Sequence, residues 1–235
     1  MITIQRLTFI ITLLIILSGC NNKKSEPNNF NKKTNSSKNM ADTSLGKYDL
    51  LIRQGADKYL AELDKLHWFE QTNLKREEVV EYLNEHKKLP ILCIYSIAEN
   101  LWHDSEGYDD MERYLELTKD YLKLANIQIK TIHGFDNGEI DLATSSNSYH
   151  YTIKDFEPSN DWIEDGFIDN FINQQILTKE NCNKRFYIIP PMDQSIFVLF
   201  LTPELHQQAI DKGIIPDNPN YYDDKEQLFH DANEK

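Results

Sequence analysis

The spacing of apolar residues changes several times along the chain, and each change marks a different kind of element. Residues 7–17 are apolar except for Thr8 and Thr12, and polar sequence then runs to about residue 47. Beyond it Leu51, Ile52, Ala56, Tyr59, Leu60, Leu63 and Leu66 recur at helical spacing, with Gly55 as a weak point. A second helix is predicted after Asn73, a good cap residue, with Val79, Val80 and Leu83 on one face and its end at Lys88. Pro90 suits the first position of a third helix carrying Ile91, Ile94, Tyr95, Ala98, Leu101 and Trp102, although the run 91–97 is apolar enough for a buried strand. The clearest helix covers about 108–125, with Tyr114, Leu117, Tyr121 and Leu124 in register and charges opposite.

The period then falls to two. Ile127, Ile129 and Thr131 alternate with polar neighbours, Asn137-Gly138 is a hairpin-turn pair, and Tyr149, Tyr151 and Ile153 alternate again. Three antiparallel strands are predicted, at about 127–135, 139–144 and 148–155. A helix at about 161–176 would bury Ile163, Phe167, Ile168, Phe171 and Ile172. Two strands, 186–189 and 196–201, flank a Pro-Pro-Met-Asp-Gln loop, the second apolar throughout and so expected to be central. The last helix is punctuated by Thr202 as cap, Pro203 at its first position and Gly213 past its end. No repeat of 20–50 residues is visible. Helices followed by hairpins predict an α+β fold, in one domain spanning 48–215, with an acidic tail at 216–235 expected to fray.

Charge divides the chain along the same lines. Of 25 Lys+Arg and 38 Asp+Glu, residues 1–19 hold Arg6 alone, and residues 20–47 hold six Lys against Glu26 and Asp42. Residues 48–235 hold the other 18 Lys+Arg against 36 Asp+Glu, a net of −18 within a total of −13. A body so acidic, without basic stripes, is unsuited to nucleic acid and suited to a basic protein partner, whose approach it would steer. Residues 21–45, with seven Asn, five Lys and four Ser, lack the apolar surface to offset ordering and are expected to act as a disordered tether.

The apolar run 7–17 would rise only about 16 Å as a helix, against a hydrocarbon core of about 30 Å. Placed after a positive start and ending in small residues, it fits an export signal at 1–19. At its end, Leu17-Ser18-Gly19-Cys20 resembles the lipobox of bacterial lipoproteins. That resemblance implies cleavage before Cys20 and lipid on its sulfur and new amino group, fatty acyl chains such as palmitate. Two or more such chains hold a protein on a bilayer durably. The expectation is a lipid-anchored protein at the cell membrane or outer membrane with its domain outside the cytoplasm. Asn21 at the next position leans toward the outer membrane where a cell has one.

Motifs for catalysis are missing from the sequence: no dinucleotide fingerprint, phosphate loop, H-E-x-x-H, C-x-x-C or G-x-S-x-G, and no cofactor is implied. Cys93 and Cys182 are expected to be separate thiols, Cys93 buried as a small hydrophobe. The densest polar cluster contains Asp104, Glu106, Asp109 and Asp110 around Gly107. These are oxygen ligands of the kind a hard cation takes, although the spacing is not that of an EF-hand loop. The simpler reading is a helix start, where carboxylates oppose the dipole. Trp162, Glu164 and Asp165 read as a first helical turn, with a sugar cleft as the alternative, and His67-Trp68-Phe69 reads as an aromatic corner sealing the core. The expected function is a non-enzymatic protein-binding module of the envelope, in the style of acidic immunity or inhibitor proteins, marked by an acidic face with exposed aromatics such as Tyr221 and Tyr222. The alternative is an envelope hydrolase built on scattered carboxylates and histidines.

Overall fold

A computed structural model describes residues 46–99, 101–157, 159–190, 194–218 and 221, all within one compact unit. The fold is α+β: helices plus two antiparallel three-stranded sheets. The export signal, Cys20, the tether and most of the acidic tail lie outside the described residues. Among the described residues no helix is long and apolar enough to cross a membrane.

The predicted first helix is two. Helix α1 (Lys47–Ile52) stops where Gly55 turns to φ 93°, and α2 (Ala56–Lys65) begins beyond it. A four-residue helix α3 (Trp68–Gln71) comes next, entered through His67 at φ 51°. Trp68 is fully buried, while the His67 side chain stays in solvent beside Glu70, so the aromatic corner does seal the core. Helix α4 (Arg76–Glu85) matches the second predicted helix.

The Pro90 segment is neither the α-helix nor the buried strand expected from its composition. Pro90–Ile97 winds as a 3₁₀-helix, and β1 (Trp102–Asp104) lies where the helix was predicted to continue. Ile91, Ile94 and Ile97 are spaced by three, the period of a 3₁₀ turn. One tertiary contact supports this winding. The buried Tyr48 hydroxyl donates to the Ile91 carbonyl at 2.9 Å and accepts from the Ile94 N–H at 3.0 Å, bridging the two groups that a 3₁₀ turn would pair.

Helix α5 (Met111–Leu124) presents Tyr114, Leu117, Tyr121 and Leu122 to the interior. Strands β2 (Ile129–Gly134), β3 (Glu139–Thr144) and β4 (Ser148–Thr152) form the predicted meander in that order. The helix predicted from 161 instead starts at Phe167, after Gly166 at φ 87°, and is a π-helix, Phe167–Leu177. Its buried residues recur as 167/168, 171–173 and 176/177, steps of four and five that fit i→i+5 pairing better than an α-helical stripe. Strands β5 (Arg185–Ile188) and β6 (Ser195–Leu201) are antiparallel, with β6 central between β1 and β5 as its apolar run predicted. Helix α6 (Pro203–Asp211) has Thr202 as cap, its hydroxyl accepting from the Leu205 N–H at 3.2 Å.

Both sheets share one core through α5 and the π-helix. Tyr151 of β4 stacks on Phe171, and Phe186 of β5 lies between Tyr121 and Phe200, with ring centroids 4.4–4.7 Å apart. Tyr221, expected among exposed aromatics, is instead buried. Its ring meets Tyr48 edge-on at 5.2 Å, and its hydroxyl donates to Asp49 Oδ1 at 2.6 Å. Ile214, Ile215 and Pro216 are buried as well, so the chain remains packed just past residue 215, the expected end of the domain.

Candidate functional site

The acidic cluster on either side of Gly107 is divided among structural tasks. Asp110 caps α5, its carboxylate accepting from the Arg113 N–H at 3.0 Å, so the helix-start reading holds there. Asp104 Oδ1 accepts from the Glu106 N–H at 3.1 Å, and the Glu106 carboxylate accepts from the Gln194 side chain. Asp109 stays exposed. Among the described residues no group of three or more His, Cys, Asp or Glu side chains could hold a metal ion.

A second segment joins this one. The Tyr108 N–H donates to the Asp161 carbonyl and the Ile163 N–H to the Ser105 carbonyl, each at 2.8 Å. The expected first turn of a helix, Trp162, Glu164 and Asp165, is therefore a loop laced to the acidic one. Its conformation precedes Gly166, whose positive φ separates it from the π-helix. Together, 102–110 and 161–165 contribute seven carboxylates: Asp104, Glu106, Asp109, Asp110, Asp161, Glu164 and Asp165. Trp102 and Trp162 sit in the same two segments at 40% and 48% exposure, unusual for so large an apolar ring.

Behind this lobe stands His103. Its Nε2 lies 3.1 Å from the Tyr121 hydroxyl, and its Nδ1 lies 3.0 Å from the Tyr108 hydroxyl and 3.1 Å from the Asp104 carbonyl. A neutral imidazole has one donor and one acceptor. The Asp104 carbonyl can only accept, which assigns the proton to Nδ1 and lets Nε2 accept from Tyr121. Burial pushes the ring's pKa down to about 4. The neutral ring is thus favoured by folding: this contribution is intact above about pH 6.5 and is lost as pH falls from there toward 4. Urea unfolding of the wild type is expected to lose about 2–3 kcal/mol more than that of His103→Gln over this window. Parallel pH profiles would remove the idea.

Glu164 is held differently. Burial raises its carboxyl above the ordinary range, outweighing the hydrogen bond it accepts from the Tyr151 hydroxyl at 2.9 Å. Its own N–H donates to the Tyr114 hydroxyl at 3.0 Å. At the far end of the π-helix, burial also acts to raise Glu180, but hydrogen bonds from Thr144, Tyr149 and Asn147 outweigh it and keep that carboxylate below the ordinary range. Three donors on one oxygen make Glu180 a tie between the β3–β4 turn and the helix end. Cys93 and Cys182 are free, as expected, and burial pushes the Cys93 thiol up to about 12, far from a reactive thiolate.

The residues define an α+β domain carrying an acidic, tryptophan-bearing lobe on two laced loops. Comparison with protein-family profiles, curated proteins and solved structures gives no match for the chain.

Proposed function

We propose that this is a lipid-anchored protein of the cell envelope that acts by binding, as an immunity- or inhibitor-like module for a basic protein partner. The observation that carries the reading is the lobe formed by 102–110 and 161–165, two segments joined by backbone hydrogen bonds that together carry seven carboxylates and two exposed tryptophans. Tryptophan is enriched among residues that dominate interface energetics, and clustered charge of one sign raises association rates with an oppositely charged partner. The −18 net charge of residues 48–235 extends that field over the body. The anchor rests on the lipobox resemblance at Cys20, which supports a domain held outside the cytoplasm on a tether.

The test uses the full chain in detergent micelles. Envelope extract is passed over it at low and high salt, a recovered basic protein is identified, and its association is then measured with purified components. Salt should slow association, because screening shortens the reach of the field. Charge reversal at the exposed Asp109 and Asp165 should do the same, and Trp162→Ala should speed dissociation. Recovery indifferent to salt, or rates unchanged in all three variants, would sink the reading. In cells, Cys20→Ser is expected to abolish palmitate labelling and release the chain from membranes.

A further inference from the structure

A cleft of about 280 Å³ opens at the far end of the π-helix from Glu164. Its walls are the turn that ends α5, Ala125–Gln128, the end of β3 at Thr144 and Ser145, and Glu180, the only carboxylate in the lining. Glu180 Oε1 accepts from the Thr144 and Tyr149 hydroxyls and the Asn147 amide, at 2.5–3.0 Å. Among the described residues no donor reaches Oε2, and no Lys or Arg pairs with this carboxylate. Burial acts to raise its pKa, yet the three bonds prevail and keep it ionised at neutral pH. A part-buried anion is thus held by neutral donors alone, with one oxygen unclaimed. The end of α5 adds to the same sign, because the carbonyls at a helix C-terminus favour a cation. The Asn126 and Ile127 N–H groups fold back onto the Lys123 and Leu122 carbonyls at 3.1 and 2.8 Å. The Ala125 and Asn126 carbonyls take no backbone partner among the described residues.

We propose that this cleft binds a primary alkylammonium group, presented by a free amine or by a lysine side chain of another protein. The three donors of an ammonium match Glu180 Oε2 and the Ala125 and Asn126 carbonyls in number. Hydrogen bonds between an ammonium and a carboxylate are the strong, charge-assisted kind. Methylenes behind the ammonium would lie along Ala125 and Ile127, both half-buried. The volume suits a small group, since clefts for whole drug-sized ligands start at about 300 Å³. An anion is unsuited, because it would meet both the carboxylate and the negative end of α5. Two neighbouring lysines are engaged elsewhere. Lys130 Nζ donates to the Ser145 carbonyl at 3.1 Å, and Lys179 Nζ lies 5.3 Å from the centre of the Tyr149 ring. Their charge opposes a further cation, so the expected affinity is millimolar. This site stands apart from the acidic lobe and does not depend on the proposed partner.

The full chain in non-ionic detergent micelles, isotope-labelled, is titrated with n-butylammonium and followed by its amide resonances. Saturable shifts are expected at Ala125–Gln128, Ser145 and Glu180. n-Butanol, of the same chain length but neutral, should leave those resonances in place. Glu180→Gln keeps an acceptor for Thr144, Tyr149 and Asn147 while removing the charge, and should weaken binding by more than about tenfold. Glu81→Gln, at an exposed position on α4, should leave it unchanged. Matching amide spectra away from the cleft confirm that each variant is folded. Two peptides with blocked ends separate the sources, one with a central lysine and one with acetyl-lysine in its place. Binding of the lysine peptide alone or with the amine assigns the cleft to a protein side chain as well, and binding of butylammonium alone assigns it to free amines. The butanol and acetyl-lysine comparisons test the charge without altering the protein. Absence of saturable shifts with both the amine and the lysine peptide, equal shifts with butanol, or binding unchanged in Glu180→Gln would each overturn the site.

Discussion

Replacing Asn173 with alanine is expected to destabilise the protein by about 2–4 kcal/mol, among the largest effects of any polar substitution in this chain. Asn173 lies on the π-helix and is 6% exposed. Its amide makes two bonds to one residue of β5. Nδ2 donates to the Phe186 carbonyl and Oδ1 accepts from the Phe186 N–H, both at 2.8 Å. Strand β5 is at the edge of its sheet, so the Phe186 backbone groups have no further strand to pair with on that side. The asparagine side chain takes that place and docks the helix onto the sheet edge. Alanine would leave a buried N–H and a buried carbonyl without partners, at about 1–3 kcal/mol each before relaxation. Aspartate should fare no better, although nearly isosteric. It can accept from the N–H but cannot donate to the carbonyl, and it would face Asp169, whose Oδ1 now accepts from Nδ2 at 3.0 Å. Thermal melts of the full chain in detergent check this. Midpoints of both variants within about 1 °C of wild type would show that the bidentate contact is dispensable.

The second large effect is expected at Gly213. The helix α6 ends there in a full Schellman arrangement: the Gly213 N–H donates to the Ile210 carbonyl at 3.0 Å and the Ile214 N–H to the Ala209 carbonyl at 2.8 Å. Gly213 has φ 73°, a left-handed conformation that costs an ordinary residue about 1–2 kcal/mol. The larger obstacle is space. A Cβ at this position would lie 2.5 Å from the backbone carbon and oxygen of Lys47 at the start of α1. Backbone on one side and a turn on the other leave no soft side chain to yield. Gly213→Ala is expected to cost about 2–4 kcal/mol and to loosen α1, raising amide exchange through Lys47–Ile52 relative to β6. Uniform exchange across both elements would argue that the two helices are not coupled at this point.

These two positions separate what local sequence could disclose from what it could not. That Gly213 lies just past the end of a helix is legible from Thr202, Pro203 and the apolar spacing between them, because capping depends on neighbours in the chain. That Lys47 closes over it is a contact across more than 160 positions, and no local pattern encodes it. Asn173 gave no signal at all, since a polar residue on an apolar helix face is conspicuous only when the strand edge opposite it is known. The π winding was likewise hidden. Its apolar pairs fit an α-helical reading well enough, and the i→i+5 geometry emerges only once the whole stretch is packed against both sheets. For the 3₁₀ segment the spacing of Ile91, Ile94 and Ile97 was a usable clue, outweighed by Pro90 and by sheer hydrophobicity.

The candidate sites divide in the same way. The acidic lobe was half visible: the carboxylates of 104–110 are dense in the sequence, but their junction with 161–165 depends on backbone hydrogen bonds between distant loops. The His150–Asp141 pair, 2.8 Å apart, was invisible, because its members come from two strands and meet only through register. The sequence by itself determined the α+β class, the strands of the meander, the centrality of β6 and the distribution of charge along the chain. All of these depend on short-range periodicity or on composition. Tertiary structure alone decided which polar groups meet, since hydrogen bonds and strand register are set by three-dimensional neighbours that the chain brings together only when its core closes.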